Sequence, residues 1–174
     1  MTSLRTPRLT LRRWREDDLG PMAAINADPE VMRWIADGSV RGRGETAAGI
    51  AEWEREWEER GVGLFAVEVR ETGELAGFAG LSVPSYLPEI LPAVEIGWRL
   101  GRPFWGRGIA TEAARSVLHF ALRDRGLARV VGVHQIGNDD SEKIMRKLGM
   151  RRERETTDPQ SARPVCVHVI EARS

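Results

Sequence analysis

Trp105-Gly106-Arg107-Gly108-Ile109-Ala110-Thr111-Glu112-Ala113 is the stretch on which the reading of this chain turns. Two glycines flank an arginine at the point where an extended segment gives way to a helix. Upstream, Val94-Glu95-Ile96-Gly97-Trp98-Arg99-Leu100 reads as a strand. Downstream, Ile109, Ala113, Val117 and Ala121 recur every four residues, with Ala110, Ala114 and Leu118 beside them, which is the stripe of an amphipathic helix. A strand, a glycine loop and a helix N-terminus together make an anion site. The N–H groups point at the ligand, glycine admits close approach, and the helix dipole favours negative charge. The ligand to expect is a phosphate or pyrophosphate. A P-loop would end in Gly-Lys-Ser/Thr, and a dinucleotide fingerprint would place a third glycine where Ala110 and Thr111 stand, so neither pattern applies.

A second segment narrows the choice. Val130-Val131-Gly132-Val133-His134-Gln135 reads as a buried strand, followed by Asn138-Asp139-Asp140-Ser141. A short helix then carries Ile144, Met145 and Leu148, with Asn138 as its N-cap and Gly149 beyond its end. Together with the first loop, this pairing resembles the GNAT acyl-CoA N-acyltransferase superfamily, and within it the RimJ/RimL-type branch. The matching pieces are Thr6-Pro7-Arg8-Leu9-Thr10-Leu11-Arg12, Glu95-Ile96-Gly97-Trp98, Trp105 to Ala113, and Asn138 to Ser141 with Lys147-Leu148-Gly149-Met150. They run in order over nearly the whole chain.

Bulk properties agree with a single domain over residues 1–174, long enough to bury a core without disulfide or metal staples. No apolar run approaches the roughly 20 residues that span a bilayer, and no apolar segment follows the N-terminal arginines. We therefore expect a cytoplasmic protein with no membrane partner. Lysine plus arginine and aspartate plus glutamate each number 26, so the formal net charge is zero. That balance argues against a nucleic-acid binder relying on a basic face. Cys166 is the one cysteine, set in an apolar run, and with three scattered histidines it suggests neither a nucleophile nor a metal site.

Leu9 to Trp14 reads as an opening strand, followed by helices capped by Asp17 or Asp18 and by Asp28-Pro29. A longer helix from about Glu45 carries Ile50, Trp53 and Trp57 on one face. Leu64 to Val69 and Leu75 to Leu81 form a hairpin, and Pro84 to Pro92 is a proline-punctuated loop. Two candidate strands, near Met150 to Glu155 and Val165 to Glu171, close the chain. The order is mixed α/β. The resemblance implies the GNAT fold, a central, mostly antiparallel sheet with splayed strands flanked by helices.

The resemblance also implies roles. Backbone N–H groups of Gly106, Arg107, Gly108, Ile109, Ala110 and Thr111 would hold the pyrophosphate of acetyl-CoA, a cosubstrate, with no metal. Trp98, Arg99 and Leu100 would meet the pantetheine arm through their backbone, and Asn138 and Ser141 would lie near that arm and the sulfur. Many relatives place a tyrosine acid four residues after this serine; here that position is Met145, which has no proton to donate. Either Ser141 hydrogen-bonds the leaving thiolate, or the thiolate leaves unassisted, which a thiol pKa near about 8.5 permits.

Glu95, in an otherwise apolar strand, is the candidate general base, since burial would raise its pKa toward neutrality. A carboxylate that binds substrate or pairs with an arginine is the alternative, and His134 is the rival base. Trp34, Trp53 and Trp57 read first as core, although Trp34 could line an acceptor groove with Tyr86, the only tyrosine. The function implied is acetyl transfer to a primary amine, chiefly a protein or peptide N-terminus. A small-molecule amine is the alternative acceptor, and a non-catalytic acyl-CoA-binding sensor is the reading from a different class. The Pro84 to Pro92 loop has no extended acidic patch to suit a highly basic acceptor, and the resemblance is compatible with a homodimer.

Overall fold

Eight strands in one sheet set the architecture seen in the computed structural model, which describes residues 2–174. In chain order the elements are β1 (Leu4–Arg5), β2 (Leu9–Arg12), α1 (Leu19–Asn26), α2 (Pro29–Met32), α3 (Arg43–Arg60), β3 (Leu64–Val69), β4 (Leu75–Ser82) and β5 (Glu95–Leu100). There follow α4 (Ile109–His119), β6 (Arg129–Gln135), α5 (Asp139–Lys147), β7 (Arg151–Thr157) and β8 (Pro164–Glu171). One sheet takes the order β1-β2-β3-β4-β5-β6-β8-β7. Every neighbouring pair is antiparallel except β5 and β6.

Local chemistry explains the element ends. Asp28 accepts a hydrogen bond from the Glu30 N–H at 3.0 Å, and Pro29 occupies the first turn of α2, where its missing N–H costs nothing. Glu45 reaches back to the Gly42 N–H at 3.2 Å to open α3. The stripe beginning at Ile109 does form α4, and its last apolar residues continue into a π-helical turn, Phe120–Asp124.

The sheet is covered on both faces, which is why β3 reads as a continuous apolar run rather than an alternation. Phe65 and Val67 pack with Leu9, Leu11, Ile96, Leu100, Ile109, Ala113 and Val117 under α4. Leu64 and Ala66 pack with Met22, Ile25, Met32 and Phe78 under the first three helices. A smaller cluster joins Leu87, Val131, Val165, Val167 and Val169, with Tyr86 against it.

The single parallel pair positions the site. β5 and β6 meet at Glu95 and Val131, and the Val131 N–H donates to the Val94 carbonyl at 2.9 Å. Beyond that pair the two strands share no ladder, so the outer edge of β5 past Glu95 has no strand beside it. This is the splay expected from the resemblance, and the mixed α/β architecture with it. Two features were not foreseen. The short β1 extends the sheet edge, and β8 inserts between β6 and β7 instead of following β7 in order.

Candidate active site

Alternation along β5 divides its side chains between two layers. Ile96 and Leu100 enter the α4 core, with Trp98 packed beside them. Glu95, Gly97 and Arg99 therefore face the opposite layer, where Arg99 lies over the Phe78 ring at 4.8 Å. Glu95 thus stands at the vertex where the strands part, on the face away from α4.

The Glu95 carboxylate accepts a hydrogen bond from Tyr86 Oη at 2.7 Å. The residue is only partly exposed and its carboxylate is enclosed by protein, so burial pushes its pKa up to about 7, against the smaller lowering effect of Tyr86. A carboxylate poised there can take a proton near neutral pH. Tyr86, expected among the acceptor contacts, donates to this carboxylate from the loop before β5. Burial, with the nearby Glu95 charge, raises its own pKa, so it remains a donor.

The loop after β5 has the form of an anion cradle. Gly106 and Gly108 lie at φ 71° and 74°, a conformation that costs any L-side chain. The N–H groups from Gly106 to Thr111 meet no acceptor among the described residues, and the Glu112 N–H is the first to bond back, to the Gly108 carbonyl at 3.0 Å. Trp105 donates its indole N–H to the Leu100 carbonyl at 2.9 Å. That bond ties the indole to the end of β5 and occupies one lone pair of the Leu100 carbonyl. Arg107 lies over the Phe104 ring at 5.8 Å, on the surface.

Asn138 caps α5 and orients Ser141. Its Oδ1 accepts from the Ser141 N–H at 3.4 Å, which leaves its Nδ2 to donate to Ser141 Oγ at 3.1 Å. Ser141 Oγ is thus held as an acceptor, and its hydroxyl hydrogen is left for another partner. Met145 is buried in the α4 core.

A domain model described as an acetyltransferase (GNAT) domain matches residues 8–151. The chain belongs to the GNAT acetyltransferase family. A Bacillus subtilis protein, YkkB, is 30% identical over 150 residues, covering 86% of this chain and 85% of its own. The N-acetyltransferase p20 of Bacillus licheniformis is 26% identical, covering 94% of this chain and 90% of its own. Among solved structures, an Agrobacterium tumefaciens acetyltransferase superposes with a TM-score of 0.82 at 24% identity, covering 98% and 95% of the two chains. RimL, the ribosomal L7/L12 α-N-protein acetyltransferase in complex with coenzyme A, superposes with a TM-score of 0.80 at 15% identity over 98% of each chain. These last two likenesses concern the fold.

In this GNAT domain, two further side chains, Trp34 and His134, depart from expectation. Trp53 and Trp57 are core, in contact with Phe78 and with Phe65 respectively, but Trp34 belongs to no core cluster. It lies against Gly137, where an added Cβ would come within 2.9 Å of its ring. The turn after α2 and the turn that feeds Asn138 therefore touch. His134 is 6% exposed and points to the α5 side of β6, opposite to Val131, Val133 and Glu95. It is neither a base beside Glu95 nor an acceptor contact on that face. The pairing of β6 with β8 sets it opposite Cys166, and with His168 the ligand atoms lie within 4.8 Å of one another. Sequence spacing hid this buried set, because register rather than proximity in the chain creates it. Two imidazoles and a thiol suit a soft cation, but Arg152 beside Cys166 opposes positive charge there. The helices of the domain include none long and apolar enough to cross a membrane.

Arg8, in the opening Thr6-Pro7-Arg8 motif, braces the loop. Its Nε donates to Glu112 at 2.6 Å and its Nη1 to the Arg107 carbonyl at 2.8 Å, while Thr6 donates to the same carboxylate at 2.7 Å.

Proposed function

We propose that this domain transfers an acetyl group from acetyl-CoA to the α-amine of a peptide or protein N-terminus by direct attack. The observation that carries the reading is Glu95, raised toward neutrality at the vertex of the parted strands. The unpartnered N–H groups of Gly106 to Thr111 match the pyrophosphate in charge and hydrogen-bond sense. The unladdered edge of β5 offers backbone groups to the pantetheine arm, leaving the thioester near the vertex.

Glu95 accepts a proton, through water, from the bound ammonium and frees its lone pair. The nitrogen attacks the thioester carbonyl, the C–N bond forms, and collapse of the tetrahedral intermediate breaks the C–S bond. The Ser141 hydroxyl, held by Asn138 from behind, donates a hydrogen bond to the departing thiolate. The nitrogen loses its second proton as the amide forms, and that proton passes through solvent to the thiolate, which leaves as the thiol.

The protein acceptor draws support from RimL, a ribosomal L7/L12 α-N-protein acetyltransferase that shares the fold. Thiol release from acetyl-CoA, measured over a panel of peptides and small amines, tests the reading. Turnover on peptides is expected. Turnover on small amines alone would overturn the peptide acceptor, and binding of acetyl-CoA without any turnover would overturn the enzyme.

A further inference from the structure

Two buried side-chain nitrogens lack a partner among the described residues, His134 Nε2 and Arg99 Nε. They differ in consequence, because a neutral imidazole can be tolerated unpaired while a guanidinium stays charged. Two other enclosed arginines are each paired with two carboxylates. Arg12 meets Asp18 and Glu68, each at 2.9 Å, and Arg13 meets Glu54 and Glu58, each at 2.7 Å. Among the described residues Arg99 has no carboxylate within ion-pair distance, and neither does its neighbour Arg41, although the chain carries 26 acidic residues. Burial, with the Arg41 charge, pulls the Arg99 pKa down to about 9, the mark of a cation held without its counter-ion.

The guanidinium is nonetheless held in place. Nη1 donates to Asn26 Oδ1 at 2.8 Å, Asn26 is itself fixed by Thr46 at 3.0 Å, and the plane rests on Phe78. The edge formed by Nε and Nη2, which meets a carboxylate with two parallel bonds, is the part left over. Arg99 faces away from α4 and its loop, so the phosphates of the cofactor are not its natural partner. It shares its face with Glu95, four positions along β5.

We propose that Arg99 is a specificity residue that binds a carboxylate on the acceptor, an acidic side chain within the first four residues of the peptide. The proposal rests on the peptide-acceptor reading above. Spacing selects this ligand. Four residues of strand separate Glu95 from Arg99 by about 13 Å, which an extended peptide covers in three to four residues. The carboxylate of a free amino acid lies only about 3 Å from its own amine and cannot serve both sites.

The test is acetylation of matched tetrapeptide amides that carry Glu or Gln at position 2, 3 or 4, with free glutamate as a further substrate. Wild type is expected to favour Glu over Gln by about tenfold or more in kcat/KM at one of these positions. Arg99→Gln should reduce that ratio to within about twofold, and Arg99→Lys should restore part of it. Thermal unfolding of both variants checks that they are folded, and each is expected to show a single cooperative transition. Equal use of Glu and Gln peptides by wild type would overturn the proposal alone. Turnover on free glutamate exceeding every peptide, or no peptide turnover at all, would overturn the proposal together with the peptide reading.

Discussion

Arg8 and Glu112 are joined by a 2.6 Å hydrogen bond across 104 residues of sequence, and the same arginine holds the Arg107 carbonyl. One side chain thus ties the β1–β2 turn to both the glycine loop and the helix that the loop opens. Burial alone would raise the Glu112 pKa, but hydrogen bonds from Thr6 and Arg8 outweigh it and hold the carboxyl below its ordinary value. Arg8 is half exposed, so this pair does little for global stability; its effect falls on the shape of the loop.

Arg8→Ala is therefore expected to weaken acetyl-CoA binding by about tenfold while moving Tm by only a few degrees. Calorimetric titration with coenzyme A, beside a thermal melt, checks this. The lowered Glu112 pKa means that its contribution is present above the ordinary carboxylate range and fades as the pH falls below it.

Gly108 opens α4 from a left-handed conformation at φ 74°. Gly108→Ala should cost roughly 1–2 kcal/mol of strain and turn the N–H groups of the first turn away from a common focus. Its signature is a fall in coenzyme A affinity larger than the fall in stability, read by the same two measurements.

Glu95 and Tyr86 predict a pH profile. The base proposed for the reaction acts as its carboxylate, so turnover is expected to rise with pH through a midpoint near 7. Tyr86→Phe removes the hydrogen bond that favours the ionised form, so the midpoint should move to higher pH by about half a unit or more. The raised pKa has a sign for stability too. The carboxyl is most favourable to the fold below its unfolded value of 4.5, and that benefit is lost as the pH rises through about 7. Glu95→Gln should consequently gain Tm over wild type between pH 5 and pH 8.

Ser141→Ala should lower kcat by about tenfold with little change in the KM for acetyl-CoA, as expected for a donor that engages the developing thiolate. Asn138→Ala should lower kcat and also destabilise α5 by about 1 kcal/mol, because it removes the N-cap. Steady-state kinetics with denaturant melts separate the two.

Much of this arrangement was legible in the sequence, for identifiable reasons. The period of Ile109, Ala113 and Val117 marked α4, and a lone acidic residue in the Ile96 strand marked Glu95, because both signals are local. Asn138 before an acidic first turn marked its own cap. What stayed hidden depends on pairing between distant strands. The register of β6 against β8 buries His134 with Cys166 and His168 on the far face, and no spacing in the chain reveals that. Tyr86 was visible as a loop residue, but its bond to Glu95 exists only because the loop folds back over the cluster of Leu87 and Val131. Trp34 was grouped with Trp53 and Trp57 as core, yet it follows α2 rather than lying on α3 and packs on Gly137.

The most direct measurement is the rate of thiol release from acetyl-CoA with a peptide acceptor, for wild type and for Glu95→Gln, alongside coenzyme A affinity. The account predicts acceptor-dependent release by wild type, a fall of about a hundredfold or more in the variant, and unchanged affinity. Turnover of Glu95→Gln within a few-fold of wild type would contradict it.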